Sequence, residues 1–245
     1  MFGEFNDPFE LVPGNFGATL PLSEAEKFYS HTMHDPSNYY DYYMDVQSGV
    51  RGTVGVICFT SEKDNLLMWA HYAKNHAGVC IEFDANASFF NGQHKDSCEG
   101  LFGYGTKKDS YANIGEIKKV RYSNKRPLFI DPKEILNDTD FWFIKSEVWS
   151  YEKEYRILLP IEHAIYKKNI PFYKIDKTII KSVTLGCQMT REMKAEVYSI
   201  CSLLDIQVKE TFVNSTEFKL DIVDYHPDNQ DKQINIYNLA KITKW

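Results

Sequence analysis

The sequence lacks any apolar run of the ~18 residues that a membrane-spanning helix needs. Its first ten residues, MFGEFNDPFE, lack the basic and apolar regions of a signal peptide. It also lacks an excess of positive charge, because the formal net charge is -6, so charge alone indicates no nucleic-acid partner. These absences predict a cytoplasmic protein that does not bind a membrane.

Cysteine pairs with metal-site spacing are also absent. The five cysteines are an odd number and contain no C-x-x-C pair. Cys58 and Cys80 lie within apolar, strand-like runs, which favours buried reduced thiols over disulfides or a zinc site.

The 245 residues, 43% of them hydrophobic, are enough for a sizeable core. No linker rich in Pro, Gly or Ser divides the chain, so we expect a single domain over residues 1–245. A loop-rich insertion is predicted around residues 90–114, a stretch that holds four of the thirteen glycines.

The order of apolar patterns predicts an α+β fold. It indicates one mixed, mostly antiparallel sheet, either continuous or split, with flanking helices. Strands are expected at 54–59, 79–83, 119–122, 154–159, 179–185, 206–213 and 218–225. Helices are expected at 25–31, 61–75, 131–143 and 190–204, with Ser61 opening the capping pattern of the second.

The helix at 61–75 carries an unusual group of aromatic and histidine side chains. Trp69, Tyr72 and His76 are spaced to share one face, with His71 on an adjoining stripe. The helix is apolar nearly all round, so we expect it to be buried. Its polar groups are then either satisfied core groups or the wall of a ligand pocket. The spacing of His71 and His76 is not that of H-x-x-x-H, so no metal site is predicted.

The strand that follows contains an acid. Alternation places Val79, Ile81 and Phe83 on one face and Cys80 with Glu82 on the other. We expect this strand to be central, so that the Glu82 carboxylate needs an arginine, a histidine or a ligand as its partner.

A second polar constellation follows Trp149. On an extended strand, Glu152, Glu154 and Arg156 share one face, with the two carboxylates ~7 Å apart. The arginine can hold one of the two carboxylates ionised and leave the other available as a base or hydrogen-bond acceptor. If Glu154 is the available one, Arg156 holds Glu152 or a phosphate. The alternative is an exposed strand face whose charges pair weakly.

Near the start, FNDPFE is typical of a turn, because a short polar side chain bonds its own backbone before a proline. Its Asn6 and Asp7 either shape that turn or orient a ligand from a rigid loop.

Together these three stretches, in this order and over residues 5–186, resemble the bacterial family known as domain of unknown function 2971. The residues that match its pattern are Asn6, Asp7, Pro8, Met68, Trp69, His71, Tyr72, His76, Gly78, Glu82, Trp149, Glu152, Glu154 and Arg156. Family members begin with a further strand before the Asn-Asp-Pro turn, so we expect that this first strand is missing here.

We interpret the family as distantly related to ADP-ribosyltransferases, which bind NAD as a substrate in a cleft of a split sheet. The resemblance implies Glu154 as the catalytic acid, with Glu152 and His71 as further catalytic residues. It also implies a role in toxin or phage-defence systems. The ligand-binding residues that it implies are Asn6, Asp7, Trp69, Tyr72, His76, Glu82, Trp149 and Arg156.

Two other functions fit the same residues. One is a non-enzymatic sensor or binding module for a small nucleotide-like ligand. The other is a metal-dependent hydrolase or nuclease that uses Asp7, His71, Glu82, Glu152 and Glu154. An arginine beside the acids counts against the hydrolase, because it competes with a cation for them. The sequence indicates no particular protein target.

Overall fold

The computed structural model of the chain describes residues 54–92, 114–125, 140–168 and 170–227. The chain divides into two compact units. Unit 1 consists of Met1–Ser61 and Ala85–Lys174, and unit 2 consists of Glu62–Asp84 and Ile175–Trp245. The expectation of a single domain stays a prediction.

The main sheet of unit 1 has three antiparallel strands. Strand β6 (Glu154–Pro160) lies between β1 (Val54–Thr60) and β3 (Lys118–Lys119). The apolar run at 157–159 in β6 is fully buried, as expected for a strand that is covered on both faces. The Glu-x-Arg pair at the start of β6 therefore lies directly before a fully buried segment of the same strand.

Shorter strands of unit 1 pair outside this sheet. β4 (Arg121–Ser123) runs parallel to β5 (Ile144–Ser146), and β7 (Ile165–Lys167) forms an antiparallel hairpin with β8 (Ile170–Phe172).

Between β5 and β6 the chain forms a 3-10 helix, Glu147–Glu152, followed by Lys153 in the left-handed region with φ 47°. The reversal folds β5 back toward the start of β6. Side chains from the two strands can therefore meet, although they are several residues apart.

Unit 2 contains a four-stranded sheet in the order β11, β10, β9, β2. Its strands are β2 (Val79–Phe83), β9 (Ile180–Leu185), β10 (Gln207–Val213) and β11 (Leu220–Asp224). β9 and β10 are parallel, whereas the other two pairings are antiparallel.

The parallel pair is connected by helix α2 (Arg191–Leu203), because parallel neighbours need a crossover. Thr190 caps the helix by accepting a hydrogen bond from the Met193 N–H. The buried core between helix and sheet consists of Val183, Leu185, Met189, Cys201, Ile206, Val208 and Tyr225. The predicted strand, helix and strand at 179–213 are confirmed within one or two residues.

Helix α1 (Leu66–Tyr72) is shorter than predicted. Its cap is Asn65, whose Oδ1 accepts hydrogen bonds from Leu67 N and Met68 N at 3.0 and 3.2 Å. The expectation that Ser61 caps the helix is therefore wrong. A side-chain acceptor nearer to the first apolar turn satisfies its free N–H groups.

The predicted α+β class with mixed, mostly antiparallel pairing is confirmed. Within the described ranges the strands form four separate sheets, of three, four, two and two strands. The predicted helix at 25–31, most of the one at 131–143 and most of the insertion at 90–114 lie outside the described residues.

Candidate functional site

Four charged side chains meet in the core of unit 1. This ion cluster consists of Lys145, Glu152, Glu154 and Arg156, and each is at least nine-tenths buried. Lys145 Nζ lies 2.6 Å from Glu152 Oε2 and 3.2 Å from Glu154 Oε2. Arg156 holds Glu154 by two hydrogen bonds, Nε to Oε1 at 2.7 Å and Nη2 to Oε2 at 3.0 Å.

The cluster contains two positive and two negative charges, so its formal charge is zero. Such balance is required here, because an unpaired ion in the core would carry a desolvation cost of several kcal/mol. The remaining donor of Arg156, Nη1, bonds to the Trp142 carbonyl at 2.5 Å. The guanidinium is thus bonded on all three of its nitrogens.

The pKa of Glu154 is lowered from its ordinary value. Burial raises the pKa, but the hydrogen bond and charge of Arg156, the charge of Lys145 and a hydrogen bond from Cys58 outweigh it. Glu154 is therefore a carboxylate at neutral pH. Both of its oxygens are bound within the protein.

The sequence predicted this grouping but not its pairing. The arginine was expected to hold one of the two carboxylates, and it holds Glu154 by two hydrogen bonds. The choice of Glu152 or a phosphate as its partner is therefore wrong. Glu152 lies in the 3-10 helix before β6 and not on the strand. The left-handed Lys153 reverses the chain there and turns Glu152 toward Lys145.

Lys145 is the member that sequence reasoning missed. It is buried on β5, and its Nζ lies 5.0 Å from the centre of the Trp149 ring, a cation–π distance. The sequence does contain a sign of a buried lysine. Lys145 follows FWFI and precedes VW, and a cation among aromatic residues is typical of a buried charge.

Cys58 was expected to be buried, and this is wrong. It lies on β1 opposite Arg156 and is exposed, because β1 is at the edge of its sheet among the described strands and pairs with β6 alone. Among the described residues, Cys58, Cys80, Cys187 and Cys201 are not paired in disulfides.

In unit 2 the aromatic-histidine helix is mostly exposed, contrary to the expectation of burial. Within α1 only Trp69 is buried; His71 and Tyr72 are exposed, with their rings in edge contact. The Trp69 indole donates to the Lys63 carbonyl at 2.8 Å and packs in a small core with Ala73 and Leu220. One face of α1 is enough to anchor so short a helix.

His76 does not continue the helical face of Trp69, because α1 ends before it. Lys74, Asn75 and His76 are all left-handed, and His76 has φ 65°. The His76 N–H donates to Trp69 O at 3.1 Å, and its carbonyl accepts from the Gln188 N–H at 2.9 Å. These two bonds fix the backbone of His76 between α1 and the segment after β9.

The imidazole of His76 has an unsatisfied nitrogen. Its Nδ1 is buried and has no hydrogen-bond partner among the described residues. Buried polar atoms are nearly always bonded, so an exception needs an explanation.

His76 lines a cavity of about 430 Å³ in unit 2. Its apolar lining residues are Leu66, Cys187, Val213, Phe218 and Leu220. Polar side chains line the rest, among them Gln188, Asn214 and the Glu217–Lys219 ion pair. A mainly apolar cavity with a few polar groups is typical of a small-molecule site.

The turn between β10 and β11 forms the mouth of this cavity. Asn214 Oδ1 accepts from Thr216 N and Glu217 N at 2.9 and 2.8 Å. These bonds hold the turn open with Phe218 fully exposed. The predicted strands at 206–213 and 218–225 left a turn here, but sequence reasoning placed Phe218 in the second strand and did not select it as a site residue. A single phenylalanine within NSTEFK is the signal that it overlooked.

Glu82 lies at the edge of the unit 2 sheet, because β2 pairs with β9 alone among the described strands. Among the described strands β2 is therefore not central, contrary to the expectation. Ser182 Oγ donates to Glu82 Oε2 at 2.8 Å, and Lys209 Nζ lies 3.6 Å away. The Ser182 hydrogen bond lowers the pKa of Glu82, burial partly offsets this, and the charges of Lys209 and Lys63 lower the pKa further.

The predicted site residues thus fall in both units. Glu152, Glu154 and Arg156 meet in unit 1 beside Trp149, whereas His76 alone of the predicted set lines the unit 2 cavity. Asn6 and Asp7 lie outside the described residues.

Two further features concern metals and membranes. Within residues 54–92, 114–125, 140–168 and 170–227, no three His, Cys, Asp or Glu side chains are grouped to hold a metal ion. In the same ranges no helix has both the length and the apolar character to cross a bilayer.

Comparison with known proteins gives one match. The sequence is similar to the family described as protein of unknown function (DUF2971) over residues 68–157. The match begins within α1 and ends just after Arg156, so it contains the middle and last motifs and not the Asn-Asp-Pro turn. No curated protein and no solved structure matches the chain.

Proposed function

We propose that this protein is a non-enzymatic binding module for a small nucleotide-like ligand and that the unit 2 cavity holds this ligand. One observation carries the proposal: His76 Nδ1 is buried at the cavity wall with no partner among the described residues. A ligand that bonds to it would remove the cost of an unsatisfied polar atom, about 1–3 kcal/mol.

The backbone around His76 supports a binding role. Its N–H and carbonyl are both hydrogen-bonded, and a Cβ on Gly186 would lie 2.1 Å from the His76 carbonyl oxygen. The ring is therefore presented by a rigid frame, and preorganisation of this kind lowers the entropic cost of binding.

The test is ligand binding by the purified full chain. We expect a nucleobase, nucleoside or nucleotide to raise the melting temperature and give a saturable heat by calorimetry. His76→Ala should weaken that binding about tenfold or more, because it removes the hydrogen bond.

The matched control is His71→Ala, which alters an exposed histidine of the neighbouring helix and should leave affinity unchanged. Equal effects of the two variants, or no binding to any compound of the panel, would contradict the proposal.

A second candidate is the NAD-consuming, ADP-ribosyltransferase-like enzyme, with a role in toxin or phage-defence systems. The lowered pKa of Glu154 favours it, because a carboxylate stabilises an oxocarbenium-like cation. The two bonds from Arg156 and the one from Lys145 count against it, since they occupy the oxygens that a substrate would need.

Nicotinamide release from NAD distinguishes the two candidates. An enzyme would release nicotinamide, and folded Glu154→Gln would lose that activity. Saturable binding without any nicotinamide release favours the binding module.

A further inference from the structure

We propose that the ligand of the unit 2 cavity is an uncharged planar heteroaromatic compound, a nucleobase or a nucleoside, stacked on Phe218 and hydrogen-bonded to His76 Nδ1. The inference rests on the proposed binding function and specifies its ligand. It follows from the charge of the cavity lining, its aromatic side chain and the buried His76 Nδ1, which has no partner among the described residues.

The charge of the cavity lining argues against a ligand that binds mainly through a polyphosphate chain. Among the described lining residues other than His76, Glu217 and Lys219 carry the formal charges, and they form an ion pair with each other. Phosphate sites use unpaired cationic donors or helix N-termini. A cavity whose lysine is already matched by a glutamate offers a phosphate chain no net attraction.

Phe218 supplies the aromatic contact. It lines the cavity and is nevertheless fully exposed, although a phenylalanine gains stability when it is buried. The hydrogen bonds of Asn214 hold the turn that presents it. An exposed ring at the mouth of an apolar cavity is suited to stack on a planar ligand.

His76 supplies the polar contact. One ring nitrogen can accept or donate a single hydrogen bond, and Nδ1 is the atom left without a partner. A hydrocarbon ligand would leave it unsatisfied, whereas a nucleobase edge carries both donors and acceptors. The apolar side chains of Leu66 and Leu220 then cover the rest of the ring system.

The volume suits a ligand of this size. A cavity of about 430 Å³ lies in the lower part of the range for small-molecule sites. It holds one base with its sugar and leaves little room for a dinucleotide.

The experiment compares each nucleobase, nucleoside and nucleoside triphosphate by calorimetry with the full chain, at low and at raised salt. We expect at least one nucleoside to bind, its triphosphate to bind no tighter, and the affinity to change little with salt. Phe218→Ser should weaken nucleoside binding about tenfold.

The matched control is Phe172→Ser, which alters a partly exposed phenylalanine on β8 of unit 1 and should leave binding unchanged. Circular dichroism of both variants shows whether each is folded, and both side chains are exposed enough that folding should survive.

The outcomes separate this inference from the proposed function. Tighter binding of a triphosphate, steeply weakened by salt and by Lys219→Met, overturns the uncharged ligand and leaves a binding module. Nucleoside binding that folded Phe218→Ser does not alter overturns the stacking contact. Absence of binding to every compound overturns the binding function itself.

Discussion

Arg156 and Glu154 lie two positions apart on β6, and their buried side chains form a two-pronged ion pair, with N–O distances of 2.7 and 3.0 Å. Lys145 approaches Glu154 from β5 at 3.2 Å and binds Glu152 at 2.6 Å. Because the four charges balance, loss of any one leaves an uncompensated ion in the core of unit 1. The cluster therefore couples the position of β5 to that of β6.

Replacement of Lys145 should strongly destabilise the protein. Lys145→Met leaves Glu152 without its 2.6 Å partner, and removal of one member of a buried pair costs about 3–5 kcal/mol. Denaturant unfolding measures the change in the free energy of unfolding.

Lys181→Met is the control, because Lys181 pairs with Asp84 at the surface at 3.4 Å, where the loss should stay below about 1 kcal/mol. If Lys145→Met does not fold, Lys145→Met/Glu152→Gln should restore folding in part. Equal losses in the two single variants would show that the cluster contributes little.

Stability should fall in acid through Glu154. Its pKa in the folded protein lies below the ordinary value of 4.5, so the unfolded state binds more protons. The stability from Glu154 is fully present above about pH 4.5 and is lost as the pH falls through the folded-state pKa. The slope in that window is at most about 1.4 kcal/mol per pH unit.

Glu154→Gln removes this proton uptake, so the free energy of unfolding should change less steeply with pH in that window. Glu82→Gln is the comparison. The pKa of Glu82 is also lowered, chiefly by Ser182, but its side chain is 42% exposed and solvent screens it. If the free energy of unfolding of Glu154→Gln falls with pH as steeply as that of the unsubstituted protein, the assigned ion pair is contradicted.

Gly186 should not tolerate a side chain. A Cβ there would lie 2.1 Å from the His76 carbonyl oxygen and 3.0 Å from the Gly78 oxygen. Gly186→Ala must therefore displace backbone, at a cost of about 1–3 kcal/mol or more, and should also weaken ligand binding by shifting His76. Thermal unfolding and calorimetry measure the two effects.

Gly55→Ala is the matched substitution, because within the described part of the chain its Cβ would meet Ile161 Cγ1 at 3.6 Å and Leu159 O at 3.8 Å, which are ordinary contact distances. It should change stability far less and leave binding intact. Similar behaviour of the two variants would argue against the close approach of Gly186 to His76.

Replacement of Asn65 should reduce the free energy of unfolding more than replacement of Ser61, because Asn65 caps α1. Asn65→Ala removes the acceptor of two backbone N–H groups and should cost about 0.5–2 kcal/mol. Ser61→Ala should stay within about 0.5 kcal/mol, since Asn65 already caps the helix. Urea unfolding of both variants measures the two losses in the free energy of unfolding. A larger loss for Ser61→Ala would show that Ser61, and not Asn65, caps the helix.

The regular elements could be predicted where the local pattern was strong. The strands Val54–Thr60 and Val79–Phe83 and the helix Arg191–Leu203 follow from apolar periodicity and turn residues. The end of α1 was harder to predict. Three consecutive left-handed residues follow it, of which none is glycine. The last of them, His76, accepts a hydrogen bond from the Gln188 N–H, and no local pattern reveals a contact with so distant a segment.

The candidate site was predictable only in part. Their spacing predicted that the side chains of Glu152, Glu154 and Arg156 lie together. The choice of partner depended on β5, whose Lys145 competes with Arg156 for the same acids. Spacing along one strand cannot show such a competitor.

The sequence by itself determined the α+β class, the order of the central elements and the likeness to the family of unknown function over residues 68–157. Only the tertiary structure decided that Lys145 completes the ion cluster and that His76 lines a cavity with Phe218 at its mouth. The reason is physical. Secondary structure follows from neighbours along the chain, whereas the partner of a buried polar group is set by segments that meet only after folding.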